Sequence, residues 1–582
     1  MRFPSLVTLA DGAREVGLRF PWTMAAGVVT ATAAILGTTR SGPQDTWVRV
    51  AAVAALGLAL TVALTLFAEE RRWRQGSKAG LNAAGAALLV LFYLVWPGPD
   101  GKYEAVRYFQ LSAGLHLLVA TLPFWRRPET NAFWQYNRRL FLGFLRAYVF
   151  SFVLFLGLVI ALVALDKLFG VEIPSRLYAR LYLVVVFVIN TGIFLAAVPR
   201  GLQELSGDTS YPRVLQVFAR FILTPLVFTY LVILLAYLLK IIGGGEWPSG
   251  WIGWLVTSVA VAGLLGFLLV HPLRGDPGEG WIRTYARWLF VGLIPAAIML
   301  LMAFWKRVLP YGLTELRLLG VLLGVWLLAI AVHYTLRPDA GIRRIPVTLA
   351  ALLLLTLYGP LSVTTLSVGS QSRRLARLVA AHRRGEASDK EASAALRFLL
   401  EHGARREVAA AIPGELPTVP WDSLTRGKAK ENEIATRILA LAGMNYITEY
   451  EARQEAYLNL YAIDQPVMAV GDYDWILSVS SGMTPPLLAG EDSVRTRFDS
   501  SSGVVVVSVG SDSLRFDVGR LADSIWRDHS TAASSVPAER LRLVTQTELH
   551  RGMLALQSVS GRRRSKSITV EGWTGKLLLG KP

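Results

Sequence analysis

Residues 345–372 read IPVTLAALLLLTLYGPLSVTTLSVGSQS, twenty-eight positions without a charge, entered through Arg343 and Arg344 and left through Arg373 and Arg374. A hydrocarbon core of about 30 Å is crossed by about 20 mostly apolar residues, so the run reads as one span over 345–367. It separates two chemistries. Similar apolar runs recur before it, whereas residues 373–582 have the mixed composition of a water-solvated domain. The number of crossings up to this run therefore decides which compartment the rest of the chain occupies.

Ten further segments meet the same test: 20–38, 47–68, 79–96, 105–124, 140–165, 177–198, 214–242, 251–271, 282–304 and 315–336. The first, rich in Ala, Gly and Thr, and the fourth, with Arg107, Gln110 and His116, are the weakest. Trp47, Trp96, Trp125, Trp134, Trp281 and Trp305 fall near segment ends, where an indole keeps its N–H wet and its ring in lipid. Pro225 and Pro295 lie inside segments, where each removes a backbone donor and bends a helix. The expected fold is an α-helical integral membrane protein with about 11 transmembrane helices, followed by a C-terminal soluble α+β domain containing an antiparallel sheet.

Composition agrees: 53% of residues are hydrophobic, 18% are charged and the mean hydropathy is +0.43. The net charge of +18 invites a nucleic-acid reading, but residues 1–367 hold 32 Lys and Arg against 17 Asp and Glu, while 368–582 hold 28 against 25. A basic excess beside apolar runs is what cytoplasmic loops and anionic headgroups select, so the expected partner is the lipid bilayer and not nucleic acid. Alternate connections carry 19 Lys and Arg on the N-terminal side and 11 on the other. That bias predicts a cytoplasmic N-terminus, expected to stay uncleaved because no early short apolar region closes in a cleavage site, and eleven spans then place the C-terminal domain in the periplasm, with the chain in a bacterial inner membrane. Residues 1–19 read as a cytoplasmic leader or an interfacial helix. With no cysteine in the chain, disulfides and thiolate chemistry are excluded.

After the transmembrane domain (20–368), residues 369–465 read as a helical juxtamembrane region and linker: Arg373 to Ala381, Asp389 to His402 and Glu431 to Leu441 have helical spacing, and Pro413, Pro417 and Pro420 mark an extended connector. Residues 466–582 change to period two. Trp475–Val479, Val494–Phe498, Val504–Val509 and Leu514–Val518 read as strands, with a helix near Gly519–Trp526, further strands from Leu541 onward, and a turn at Gly561–Ser565.

Five polar residues in or beside the spans are candidate intramembrane or gate residues. Arg146 and Arg220 each lie about 9 Å into a segment, within snorkelling reach of an interface; the alternative is a buried partner. Asn190, central in the sixth segment beside Thr191 and Gly192, suits an interhelical hydrogen bond or coordination of a solute. Glu315 and Arg317 open the tenth segment, where Thr314 can cap the helix and the dipole favours a carboxylate; the alternative is an outward-facing polar cluster with Lys306 that binds or gates a charged solute. His116, His271 and His333 lack metal-ligand spacing, and Asp472, Asp474, Asp512 and Asp517 lack that of a calcium loop. No catalytic residue, cofactor or metal ligand is expected, because no hydrolase, phosphate-loop or dinucleotide signature is present.

Several clusters together resemble a known family. Phe133-Trp134-Gln135-Tyr136-Asn137, Pro199, Tyr311-Gly312-Leu313-Thr314-Glu315-Leu316-Arg317, Gly359-Pro360-Leu361-Ser362 and Ser370-Gln371-Ser372-Arg373-Arg374-Leu375 are similar to a bacterial polytopic membrane family of unassigned chemistry, domain of unknown function 4153, over about residues 130–480. The resemblance implies a multi-pass membrane protein and supplies no catalytic residue. The functional expectation is a non-enzymatic envelope sensor or scaffold whose C-terminal domain binds an envelope protein or small ligand. The alternatives are a small-solute transporter or channel and a membrane-embedded transferase on lipid or glycan precursors.

Overall fold

The computed structural model describes residues 6–38, 44–96, 98, 102–126, 129–244, 251–275, 279–386, 388–412, 428–448, 457–463, 470–482, 487–489, 492–528, 535–564 and 567–582. The proline connector at 413–420 and the tip of the 561–566 turn lie outside these residues. The chain forms two compact units, Met1–Ala376 with Phe398–Ala411, and Arg377–Arg397 with Ile412–Pro582.

In the first unit the apolar runs form helices, which satisfy every backbone group internally. In order these are α1 (Leu6–Arg19), α2 (Pro21–Gly37), α3 (Gln44–Glu70), α4 (Gln75–Val95), α5 (Lys102–Thr121), α6 (Thr130–Phe169), α7 (Ser175–Ala196), α8 (Arg213–Ile242), α9 (Trp251–Val270), α10 (Trp281–Tyr311), α11 (Glu315–Leu336), α12 (Arg344–Leu355) and α13 (Val363–His382). Among the described residues eight, α3, α4 and α6 to α11, are long and apolar enough to cross a membrane, or nine if α1 and α2, bent by 100° at Phe20, count as one broken span. The unit is that of a multi-pass membrane protein. Small residues let the helices approach closely: a Cβ at Gly292 would stand 2.6 Å from Leu231, and one at Gly324 2.8 Å from Leu301.

The run at 345–372 does not form the single span expected of it. The helix stops at Leu355, turns through Gly359 (φ +89°) and Pro360, and restarts at Val363. Pro360 lacks an N–H and disfavours helix at the residue before it, and Ser362 Oγ accepts the Thr365 N–H at 3.1 Å to begin the new helix. The other two expected spans missing from the eight also have identifiable causes: α2 has only 17 residues, and α5 carries Glu104, Arg107 and Gln110.

Polar contacts gather at two ends of this unit. At the entry end Arg19 donates to Glu69 (2.8 Å), Val198 O (2.9 Å) and Pro199 O (2.7 Å), Tyr136 Oη to Val119 O (2.7 Å), Trp134 Nε1 to Leu268 O (2.7 Å) and Arg343 to Phe124 O (2.5 Å). At the exit end Arg49 donates to Tyr93 O and Trp96 O (both 2.7 Å), and Arg107 to Thr364 Oγ1 (3.0 Å). Short or polar as they are, α5 and α12 both join the two ends: α5 runs from Arg107 to the Val119 contact, and α12 from Arg343 to Leu353, whose carbonyl accepts Gln110 Nε2 at 2.8 Å.

In the second unit, α14 (Asp389–Glu401), whose last four residues belong to the first unit, is followed by α15 (Arg405–Ala411) of the first unit and then α16 (Lys428–Ala440). Strands β1 (Tyr457–Ala462), β2 (Trp475–Ser480), β3 (Leu487–Ala489), β4 (Asp492–Asp499), β5 (Val504–Val509), β6 (Asp512–Asp517), β7 (Ser535–Val536), β8 (Arg542–Gln546), β9 (Arg551–Arg564) and β10 (Ser567–Gly580), with α17 (Val518–Asp528) between β6 and β7, complete it. They form a six-stranded sheet in the order β2-β10-β9-β1-β7, with β8 on β9, and an antiparallel four-stranded sheet β3-β4-β5-β6. Alternate residues Val505, Val507 and Val509 point into a core shared with Phe516, Ile525, Leu554, Val570, Trp573 and Leu577. This is the antiparallel α+β domain that the period-two pattern predicts.

Candidate functional site

Two of the sequence clusters meet at the exit end. Gly312 takes φ +68°, a region that side chains rarely adopt, and so turns α10 into α11. The turn's exposed backbone is satisfied by α13. Gln371 Nε2 donates to Tyr311 O (2.9 Å) and Leu313 O (2.8 Å), Ser370 Oγ accepts the Leu313 N–H (3.0 Å), and Arg374 Nε donates to Pro310 O (3.2 Å). Arg317 reaches back to Gly312 O (2.9 Å) and Tyr311 O (3.2 Å).

Glu315 is then left pointing inward, with only 6% of its surface exposed. Its Oε1 lies 2.5 Å from His402 Nε2, and the imidazole, 3% exposed in its side chain, stacks at 4.1 Å on Phe398. His402 Nδ1 is 2.6 Å from Phe398 O. A second carboxylate, Glu104 at 4% exposure, lies close enough to feel the charge of both. Glu104 pairs with Arg107 at 3.1 Å, and Arg107 also packs its guanidinium 5.3 Å from the Tyr358 ring centre. Buried charges are tolerated only when paired and hydrogen-bonded, and each member here has such a partner. The carboxylates and the imidazole are groups that can carry a proton, and the guanidinium sets a fixed positive charge beside them. Among the described residues no group of three or more metal-ligating side chains converges anywhere.

The alternative reading of Glu315 and Arg317 joins them with Lys306 in one outward-facing cluster, but the two side chains are separated: one is buried against His402 and the other closes the turn. Thr314 precedes α11 in extended conformation and makes no capping hydrogen bond. Arg146 is exposed on α6 and donates to its own helix at Leu142 O (3.3 Å). Arg220 differs: in a π-helical turn (Ala219–Leu223) it lies 3.7 Å from Glu279 and packs near Trp281, so it has a carboxylate partner and does not merely snorkel. Asn190 Oδ1 accepts the Ser151 hydroxyl at 3.3 Å, directly after the π-helical turn Val185–Ile189. Glu104, Arg107 and His402 were not singled out by sequence reasoning. Glu104 and Arg107 sit at an acceptable i,i+3 spacing, and His402 lies in a stretch that reads as soluble.

Elsewhere at the entry end, a cleft of about 440 Å³ is lined by Trp134, His271, Arg274, Arg283 and Asp339 among others. Nearby, Asp208 is pulled down to about 2 by hydrogen bonds from Ser210 and by Arg139 and Arg138. In the second unit, turn hydrogen bonds from Ser501 and Ser502 hold Asp499 at about 2, and Thr547 and His550 lower Asp512.

Residues 23–392 match the family described as Domain of unknown function (DUF4153). The chain belongs to this family. The DUF4153 region includes Glu104, Arg107 and Glu315 and ends before His402. An uncharacterized protein of Pasteurella multocida (strain Pm70), PM1469, is 26% identical over 246 residues, which are 42% of this chain and 41% of that protein, so the chain spans well under half the length of this relative. No solved structure matches the chain.

Proposed function

We propose that this DUF4153 protein is a non-enzymatic sensor or scaffold of the bacterial envelope, whose C-terminal domain binds a protein or small ligand and whose membrane unit anchors and reads that state. The observation that carries this reading is the polar clamp at the exit end, where Gln371, Ser370, Arg374 and His402 fasten the segments that leave the membrane unit onto the Tyr311–Glu315 turn. Such a fastening is a natural relay point, since whatever moves the exit segments must break it. A docking edge is also available. Strand β2 pairs only with β10 among the described residues and exposes Trp475 (45%) and Ile476 (51%).

Arg19 and His402 fall at opposite ends of the membrane unit, which supports an odd number of crossings and a periplasmic C-terminal domain. The test uses the absence of cysteine: Ser502→Cys, on an exposed turn, is expected to react with a membrane-impermeant maleimide in intact spheroplasts, and Arg14→Cys only after lysis. Reaction of Ser502→Cys only after lysis overturns the periplasmic placement. A solute flux into proteoliposomes beyond that of empty vesicles replaces the sensor reading with a transporter.

A further inference from the structure

We propose that Glu315 and His402 together form a proton-binding site that latches residues 398–411 to the membrane unit, closed when one proton is bound and released when it leaves. The inference goes beyond the sensor reading and does not depend on the side that Ser502 faces.

The case rests on what each ring nitrogen meets. Phe398 O, 2.6 Å from His402 Nδ1, is a carbonyl and can only accept, so Nδ1 carries a hydrogen. A neutral imidazole then has a bare lone pair at Nε2. That nitrogen lies 2.5 Å from a carboxylate oxygen, which is also an acceptor unless protonated. Two lone pairs cannot meet at this distance in a buried site, so a proton lies between them, on Nε2 or on Oε1. The contact requires that proton whichever atom holds it. Charge balance agrees: Glu104 and Arg107 cancel each other at 3.1 Å, and the proton-bound Glu315–His402 pair is neutral, whereas its loss leaves a net negative charge where Glu104 and Glu315 are almost wholly buried.

The charged groups around the pair are identifiable on every element packed there. They are Glu104 and Arg107 on α5, Arg317 on α11, held by the turn carbonyls, Arg307 on α10 near Arg317, Arg374 on α13 over Tyr311, and Glu401 and Arg405 flanking His402 in the chain. Among the described residues the Glu315 carboxylate is hydrogen-bonded to His402, with Glu104 close enough to feel its charge, and the His402 contact fastens the 398–411 segment.

The sign follows from the geometry. A proton required by the closed contact favours closure at low pH, and opening grows as pH rises. The readout is a cysteine at buried Ala404, compared with one at exposed Ala409, in the full detergent-solubilised chain. Taking the ratio of the two maleimide rates removes the reagent's own pH dependence. Between about pH 5 and about pH 9 the Ala404/Ala409 ratio is expected to rise, by up to about tenfold per pH unit where opening releases the one proton. Glu315→Gln supplies an amide N–H to the bare Nε2, and His402→Gln supplies one to the carboxylate, so neither contact needs the proton and each variant is expected to give a low ratio that does not change with pH. A slope lost in either variant supports the latch. A ratio that is flat in the wild-type chain, or a wild-type slope retained in both variants, overturns it.

Discussion

The two ends of the membrane unit share arginines on backbone carbonyls and differ in one contact, a buried carboxylate facing an imidazole. At the entry end, guanidinium groups that never lose their charge hold backbone carbonyls: Arg19 on Val198 and Pro199, Arg343 on Phe124. At the exit end Arg49, Arg317 and Arg374 hold carbonyls in the same way, and to these are added two buried carboxylates, Glu104 paired with Arg107 and Glu315 facing His402. Arginine on a carbonyl is indifferent to pH, whereas a carboxylate facing an imidazole is not. The contrast leaves the exit end as the one that holds a contact sensitive to pH.

The largest expected effect comes from the exit end. Glu104→Ala leaves the Arg107 charge buried without its carboxylate and is expected to cost about 3–5 kcal/mol, since removing one member of a buried pair exposes the desolvation cost of the other. Adding Arg107→Met should recover most of the loss. Thermal unfolding of the purified chain in detergent checks both, and a double variant no better than the single one would break the assignment of a buried pair. Arg19→Ala at the entry end comes next. It removes donors from Glu69 and two carbonyls, each worth about 1.5–3 kcal/mol when one partner is charged, but the site is partly open to water, so a loss of about 2 kcal/mol is expected in the same measurement, equal at pH 6 and pH 8.

The same contrast separates what was legible in the sequence from what was not. Apolar length announced the helices, and alternation announced strands such as Val504–Val509, because both signals are local. The break at Gly359-Pro360 was hidden by the apolar residues on either side, although the proline that causes it was in plain view. Glu315 stood out as a charge at a helix start, but its partner His402 lies 87 residues later, in a region whose composition reads as soluble. Arg220 and Arg146 are alike in depth by sequence, and only the fold brings Glu279 to one of them. Pairings across long separations depend on how helices pack, which no local pattern carries.

A smaller effect tests the entry end's indifference to pH. Asp208, accepting from Ser210 and from Arg139 at 2.9 Å, is held at about 2, below its ordinary value. A carboxyl depressed in the folded state contributes stability that is fully present above its unfolded value, near 4, and is lost as pH falls through about 2. Asp208→Asn is therefore expected to cost about 0.5–1 kcal/mol, constant from pH 8 to pH 5, and to converge on wild type only in strong acid. A difference that changes between pH 5 and pH 8 would show that this end also titrates in the physiological range.

The smallest effect belongs to Arg146, which sharpens the comparison because it is a charge at neither kind of site. Its side chain is exposed on α6 and donates a hydrogen bond of 3.3 Å to Leu142 O of the same helix. Nothing buried is left unpaired when it is removed, so Arg146→Leu is expected to change apparent stability by less than about 0.5 kcal/mol. Its exposed neighbours Phe144, Leu145, Tyr148 and Val149 form an apolar surface that leucine continues. A loss comparable to that of Arg19→Ala would mean that Arg146 has a buried partner, and α6 would then carry a third charged site between the two ends.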